Sequence, residues 1–240
     1  MKYALGNPHG MKMSQIIELG NNEHFSKLTC SIIPTIDYWK NIKNRILTEL
    51  MKEDCDVCFE YPVQSINNAT SSYSDVMLIS ENTAIAVESK WNESVEFLCR
   101  DHKAKRKDEV QQHWINIISG YLNKEFNLTQ FEEIEYQLLH RVASACYLNK
   151  QNCKVVYQIF YTHTRKEDFK NEILKLAHLL GDSRIEFYID SVQIKLNDEY
   201  SILKERIKPL EKKDRIETIK QALKENTFFD FVDEQIEKLN

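Results

Sequence analysis

Ser74-Asp75-Val76-Met77-Leu78-Ile79-Ser80-Glu81-Asn82-Thr83-Ala84-Ile85-Ala86-Val87-Glu88-Ser89-Lys90 reads as two short strands joined by a tight turn. Val76, Leu78, Ile79, Ile85 and Val87 are strand formers. Glu81-Asn82 is the only polar break, and Asn tolerates the left-handed conformation that two-residue hairpin turns use. With those two residues as the loop, Ser80 faces Thr83, and counting back sets Asp75 opposite Glu88. Side chains alternate faces along a strand, so Asp75, Glu88 and Lys90 share one face. Two carboxylates directly across a hairpin repel. A divalent cation between them removes that objection, since carboxylate oxygens are the ligands Mg²⁺ prefers.

Working outward, Asp37 is placed to cap a helix from Tyr38 to Lys52, with Trp39, Ile42, Ile46 and Leu50 at helical spacing. Cys55 to Ser65 alternates as a strand, with Cys55, Val57, Phe59, Tyr61 and Val63 on one face. Residues 67–72 form a polar turn. The order helix, strand, strand, strand results.

Asp-x12-Glu-x-Lys on such a hairpin, carried by Asp75, Glu88 and Lys90, resembles the PD-(D/E)XK nuclease superfamily. Ser74 stands where that family usually has Pro. A second Glu-x-Lys, Glu211-Lys212-Lys213, lies in a charged helical tail and lacks the strand context. The resemblance implies an α/β protein of the restriction-endonuclease-like type: a three-layer sandwich whose mixed central sheet is flanked by helices. It implies a Mg²⁺-dependent nuclease, with Mn²⁺ able to substitute. Asp75, Glu88 and the Ser89 carbonyl are then the metal ligands, and Lys90 works in the attack step. Members often carry a further acid on the helix before the hairpin; Glu49 is the candidate, with Glu53 and Glu60 behind it. A glutamine on the helix after Glu-x-Lys supports the site in several families, which makes Gln111, with Gln112 beside it, the candidate here. Glu93 extends the motif.

The basic run Lys103, Lys105, Arg106 and Lys107 beside the motif offers phosphate contacts, against the alternative of a solvated helix start. DNA is the expected substrate, with RNA left open and a homodimer also open. No separate DNA-reading module is evident, which leans toward restriction or defence over repair. The alternative function is a non-catalytic nuclease-fold domain that binds nucleic acid or protein as a scaffold.

The 240 residues suffice for one sizeable domain. Residues 1–36 form a poorly patterned N-terminal arm, in which residues 14–20 make a helical turn or two ended by Gly20. Residues 37–197 form the nuclease-like domain, and residues 198–240 form charged C-terminal helices broken at Pro209 and packed on it. Within the domain, Asp108 to Asn123 is helical with Val110, Trp114, Ile117, Ile118 and Tyr121 inward. Phe131 to Asn149 is a second helix. Lys154 to Thr162, a helix ending at Gly181, and Ile185 to Leu196 make a parallel crossover. The net charge of −5 lowers the expectation of tight, sequence-blind DNA binding. No apolar run approaches the ~18 residues a membrane span needs, and no signal peptide is evident, so the expected location is cytoplasmic. Six cysteines, including Cys55-Asp56-Val57-Cys58, lack zinc-site spacing and read as buried thiols.

Overall fold

The hairpin occupies the middle of a seven-stranded mixed sheet in the computed structural model. The described residues are 2–8, 10–41, 44–66, 72–91, 98–101, 107–163, 168–181 and 184–240. Strands β1 (Lys2–Leu5), β2 (Asp56–Val63), β3 (Ser72–Ile79), β4 (Thr83–Trp91), β5 (Asn152–Tyr161), β6 (Ile185–Leu196) and β7 (Phe229–Lys238) lie in sequence order across it. Strands β1 and β2 run parallel, as do β4, β5 and β6; β2–β3, β3–β4 and β6–β7 are antiparallel. Helices α1 (Met13–Leu19), α2 (Ile32–Trp39), α3 (Lys107–Leu122), α4 (Tyr136–Tyr147), α5 (Asp168–Leu180), α6 (Asp198–Ile207) and α7 (Lys212–Glu225) cover both of its faces.

The β3–β4 register follows the sequence expectation: Val76 pairs with Val87, Met77 with Ala86, Leu78 with Ile85 and Ile79 with Ala84. The turn is built differently. Neither Glu81 nor Asn82 takes a positive φ. Ser80 closes the loop instead, its Oγ accepting the Thr83 N–H at 2.9 Å and its N–H donating to the Thr83 carbonyl at 3.0 Å. Every residue of β4 is buried, as a strand covered on both faces requires. Alternate residues feed two cores. Val57, Phe59, Val76, Leu78, Ile85 and Val87 pack with α1, α2, α6 and α7, whereas Met77, Ala86, Val155 and Ile159 pack with α3, α4 and α5.

Three expectations change. The face shared by Cys55, Val57 and Phe59 does not continue, because Tyr61 and Val63 join the opposite core with Cys58. Glu60 between them has φ 47°, a conformation few residues other than Gly adopt. It reverses the alternation while the pairing of Phe59 with Val76 and Tyr61 with Ser74 stays in register. The helix expected over 38–52 is instead α2, ending at Trp39, and a π-helical segment Ile46–Met51. Residue 42 lies outside the described residues. Asp37 is therefore no N-cap: it is buried inside α2, where its carboxylate accepts from Lys40 Nζ at 2.6 Å and from the Phe228 N–H. Finally, the tail is helical only to Glu225. Pro209 does separate α6 from α7, but residues 229–238 form β7 on the edge of the sheet. Phe228 and Phe229 are buried, while Phe231 and Val232 stay exposed. One core cluster takes residues from Ile16 through Phe229, so the arm and the tail share the packing of the central segment. Gly181, at φ 77°, ends α5 as expected.

Among the described residues no helix is long and apolar enough to cross a membrane. Asp37→Ala should remove the tie between α2 and the start of β7 and leave a buried N–H without an acceptor. The expected loss is ~2–3 kcal/mol, read as a lowered urea midpoint with unchanged slope; an unaltered midpoint would mean that this tie does not stabilise the fold.

Candidate active site

Carrying the register one pair beyond Val76–Val87 sets Asp75 beside Glu88, at the point where the hairpin runs under α4. The shared-face expectation holds. Glu88 and Lys90 are both buried, with Lys90 Nζ 2.9 Å from Glu88 Oε1. Glu88 Oε2 accepts from Arg141 Nε on α4. Lys90 Nζ also donates to Gln137 Oε1, one turn earlier on the same helix. Residues three and four apart share a helix face, so Gln137, His140 and Arg141 present themselves to the hairpin together. Asp75 is half-buried, and its Oδ2 accepts the Ser89 N–H at 2.8 Å. The Ser89 hydroxyl belongs to the other face, 3.5 Å from Gln158 Oε1.

The electrostatics divide the two carboxyls. Burial disfavours ionisation of both. For Glu88 the Arg141 and Lys90 cations overcome that cost and hold its pKa at about 2. For Asp75 burial and the neighbouring Glu88 charge prevail over the more distant cations and raise its pKa to about 7. Glu88 is therefore a neutralised anion, and Asp75 is an anion short of positive charge.

Both carboxyls, Lys90, Gln137, His140 and Arg141 open onto one cavity of about 680 Å³. The N-terminal arm lines it through Leu19, Asn21, His24 and Ser31, and Glu60 and Tyr73 line it as well. The sequence offered no role for that arm. Arg141 and Gln137 were also missed, since a helix interior gives no sign of which buried polar residue will meet a distant strand.

The other candidates separate from this cavity. Glu49 is exposed and forms an i,i+4 pair with Arg45 at 2.5 Å, so it faces away from the cavity. Glu53 lines a different pocket, beside Thr83 and Lys154. Of the acidic alternatives only Glu60 reaches the site, and it does so from β2. Gln111 is buried, but its Nε2 donates to the Cys99 carbonyl at 2.7 Å, which fastens the 98–101 segment to α3. Gln112 bonds Asn116 on the helix surface. On α3 the buried stripe runs Gln111, Trp114, Ile115, Ile118 and Tyr121, one residue round from the expected one. Lys103, Lys105, Arg106 and Glu93 lie outside the described residues. Lys107 begins α3 and donates to the Arg100 carbonyl at 3.0 Å. Cys55 and Cys58 are buried on opposite faces of the sheet.

Among the described residues no group of three or more His, Cys, Asp or Glu side chains stands at metal-binding distance. Mg²⁺ needs less than that: it is commonly held by one or two carboxylates, with water and substrate phosphate completing the shell. Asp75 and Glu88 are two such carboxylates; both Glu88 oxygens are engaged by cations, and burial and the Glu88 charge raise the Asp75 pKa.

A family model described as a domain of unknown function (DUF6946) matches residues 10–198, a span that contains every residue of the cavity. No curated protein and no solved structure matches the chain.

The two carboxyls affect stability in opposite directions. Glu88, held low, stabilises the fold above its unfolded value, and that contribution is lost as the pH falls toward about 2. Asp75, held high, binds in the folded state a proton the unfolded chain has released, so stability falls as the pH rises from 3.8 to about 7. Asp75→Asn should therefore stabilise the metal-free protein at pH 8, by on the order of 1–3 kcal/mol after allowing for solvent screening. Thermal melts from pH 4 to 8 check this; a variant less stable than wild type at pH 8 would contradict the assignment.

Proposed function

We propose that this chain, which belongs to the DUF6946 family, is a metal-dependent nuclease of restriction-endonuclease-like fold that hydrolyses DNA phosphodiester bonds. The observation that carries the reading is the placement of Asp75, Glu88 and Lys90 on one sheet face, with Lys90 Nζ 2.9 Å from Glu88, at the floor of one cavity. A buried cluster of this kind costs stability, whereas a hydrolase gains from it an oriented charge in a site that excludes water.

In this reading Asp75, Glu88 and the Ser89 carbonyl hold Mg²⁺ or Mn²⁺, which when bound neutralises phosphate charge and polarises a water. Lys90 orients the attacking water and stabilises the charge that develops on the phosphate oxygens. Gln137 fixes the Lys90 ammonium, and Arg141 keeps Glu88 ionised through the cycle. Asp75, its pKa raised to about 7 by burial and the Glu88 charge, would be drawn to its ionised form by a cation held there.

One observation favours a second reading, a nucleic-acid- or protein-binding domain without catalysis. Both Glu88 oxygens are already engaged, Oε1 by Lys90 and Oε2 by Arg141, so the cluster is partly neutralised from within. Activity separates the two readings. The expected result is DNA cleavage that requires Mg²⁺ or Mn²⁺ and stops with EDTA. Lys90→Ala should lose at least ~100-fold in turnover while retaining metal binding, and Asp75→Ala should lose both. Ca²⁺ should bind and support little cleavage, because its looser coordination positions water poorly. Cleavage undiminished in Lys90→Ala would contradict this assignment. Absence of cleavage on every DNA and RNA tried, together with absence of Mn²⁺ binding, would favour the binding domain.

A further inference from the structure

Lining the same cavity as the hairpin is a pair to which the proposed hydrolysis gives no task. His24 lies in the 3₁₀ turn Asn22–Phe25 of the N-terminal arm, and its Nδ1 is 2.7 Å from Glu60 Oε1. A carboxylate can only accept, so Nδ1 carries the proton and Nε2 is the nitrogen that exchanges with the cavity. Both residues line the same space as Asp75, Glu88 and Lys90.

Two independent features hold this pair in place. Glu60 sits inside β2 at φ 47°, a strained conformation for a residue with a Cβ, and that backbone reversal delivers its carboxylate to the cavity rim. The turn bearing His24 is anchored by buried Lys220 of α7. Lys220 Nζ donates to the carbonyls of Glu18 and Gly20, each at 2.9 Å, and to Asn22 Oδ1 at 2.7 Å, and lies 5.0 Å from the Phe25 ring centroid.

We propose that His24, oriented by Glu60, is the general acid that protonates the leaving oxygen of the cleaved phosphodiester, an inference that rests on the hydrolytic reading above. Water adds to phosphorus and the bond from phosphorus to the leaving sugar oxygen breaks, its electron pair staying on that oxygen. The oxygen takes the proton from His24 Nε2, and the surplus proton of the attacking water passes to solvent. His24 is left as the neutral tautomer protonated at Nδ1, still bonded to Glu60, and regains its proton from solvent. The charged groups that bear on His24 are Glu60, Asp75 and Glu23; all three are acidic and, with the Glu60 hydrogen bond first among the causes, they raise its pKa against the opposing effect of burial. The acid form thus persists at a higher pH than in an ordinary histidine.

The test compares two substrates in Mg²⁺: a DNA oligonucleotide, and thymidine 5′-p-nitrophenyl phosphate, whose p-nitrophenolate departs without needing a proton. His24→Ala should lose roughly 10²–10⁴-fold in turnover on DNA and less than about tenfold on the p-nitrophenyl ester. On DNA, wild-type turnover should fall on the alkaline side as His24 loses its proton, and Glu60→Gln should move that limb to lower pH. If His24→Ala does not fold, the limb and its displacement in Glu60→Gln carry the test. Equal losses on both substrates, no loss on DNA, or a limb unmoved by Glu60→Gln would overturn the role of His24 and leave the nuclease reading standing. Wild type inactive on both substrates would overturn the two together.

Discussion

The Glu88 carboxylate, buried between the Lys90 ammonium and the Arg141 guanidinium, is the interaction on which the rest of the site depends. A carboxylate at the centre of a fully buried strand is excluded from a fold unless cations meet it. One cation comes from the strand itself, two residues on. The other must come from α4, which fixes how that helix lies over the hairpin. Once Glu88 is neutralised, Asp75 on the neighbouring strand is left with the unfavourable balance, and its raised pKa follows from the same burial. The site therefore consists of one compensated acid and one uncompensated acid.

The cavity above this floor is closed by parts of the chain far apart in sequence. Lys220, near the C-terminus, holds carbonyls of the N-terminal arm, and Asp37 binds the backbone at the start of β7. These ties fasten residues that precede the hairpin, including the arm that lines the cavity, to the C-terminal part of the chain. On the opposite face of β4 a second polar network runs from Trp39 through Gln158 to Asp190, with Gln158 Nε2 donating to Asp190 Oδ2 at 2.8 Å. Burial and the Glu234 carboxylate raise the Asp190 pKa. Polar residues at the same level on both faces distinguish this part of the sheet from the apolar strand segments before it.

Period-two patterning made the hairpin legible: alternation and a single polar break were sufficient to give the register and to bring Asp75, Glu88 and Lys90 together. The parallel crossover between β5 and β6 was legible from the order strand, helix, strand and from the near-continuous apolar run of β5. What failed was decided at long range. Glu49 was the candidate for a further acid on a helix before the hairpin, but that helix stops at Trp39, and Arg45 pairs with Glu49 on the surface. Gln111 was chosen by analogy of position, whereas the rotation of α3 turns it toward Cys99. Residues 229–238 alternate imperfectly and carry four acidic side chains, a composition that an edge strand tolerates and a pattern search reads as tail. Arg141, Gln137 and His24 carry no local signal, because their roles exist only once a strand formed elsewhere comes to meet them.

The Asp75–Glu88 pair is proposed here as a cation site. The most direct measurement is a crystal structure after soaking in Mn²⁺, with anomalous scattering used to locate the metal. A cation site there gives a single strong peak within bonding distance of both Asp75 and Glu88, with Glu88 Oε1 turned from Lys90 to the metal and Oε2 still held by Arg141. A map without a peak there, with both cations still closed on Glu88, would contradict it.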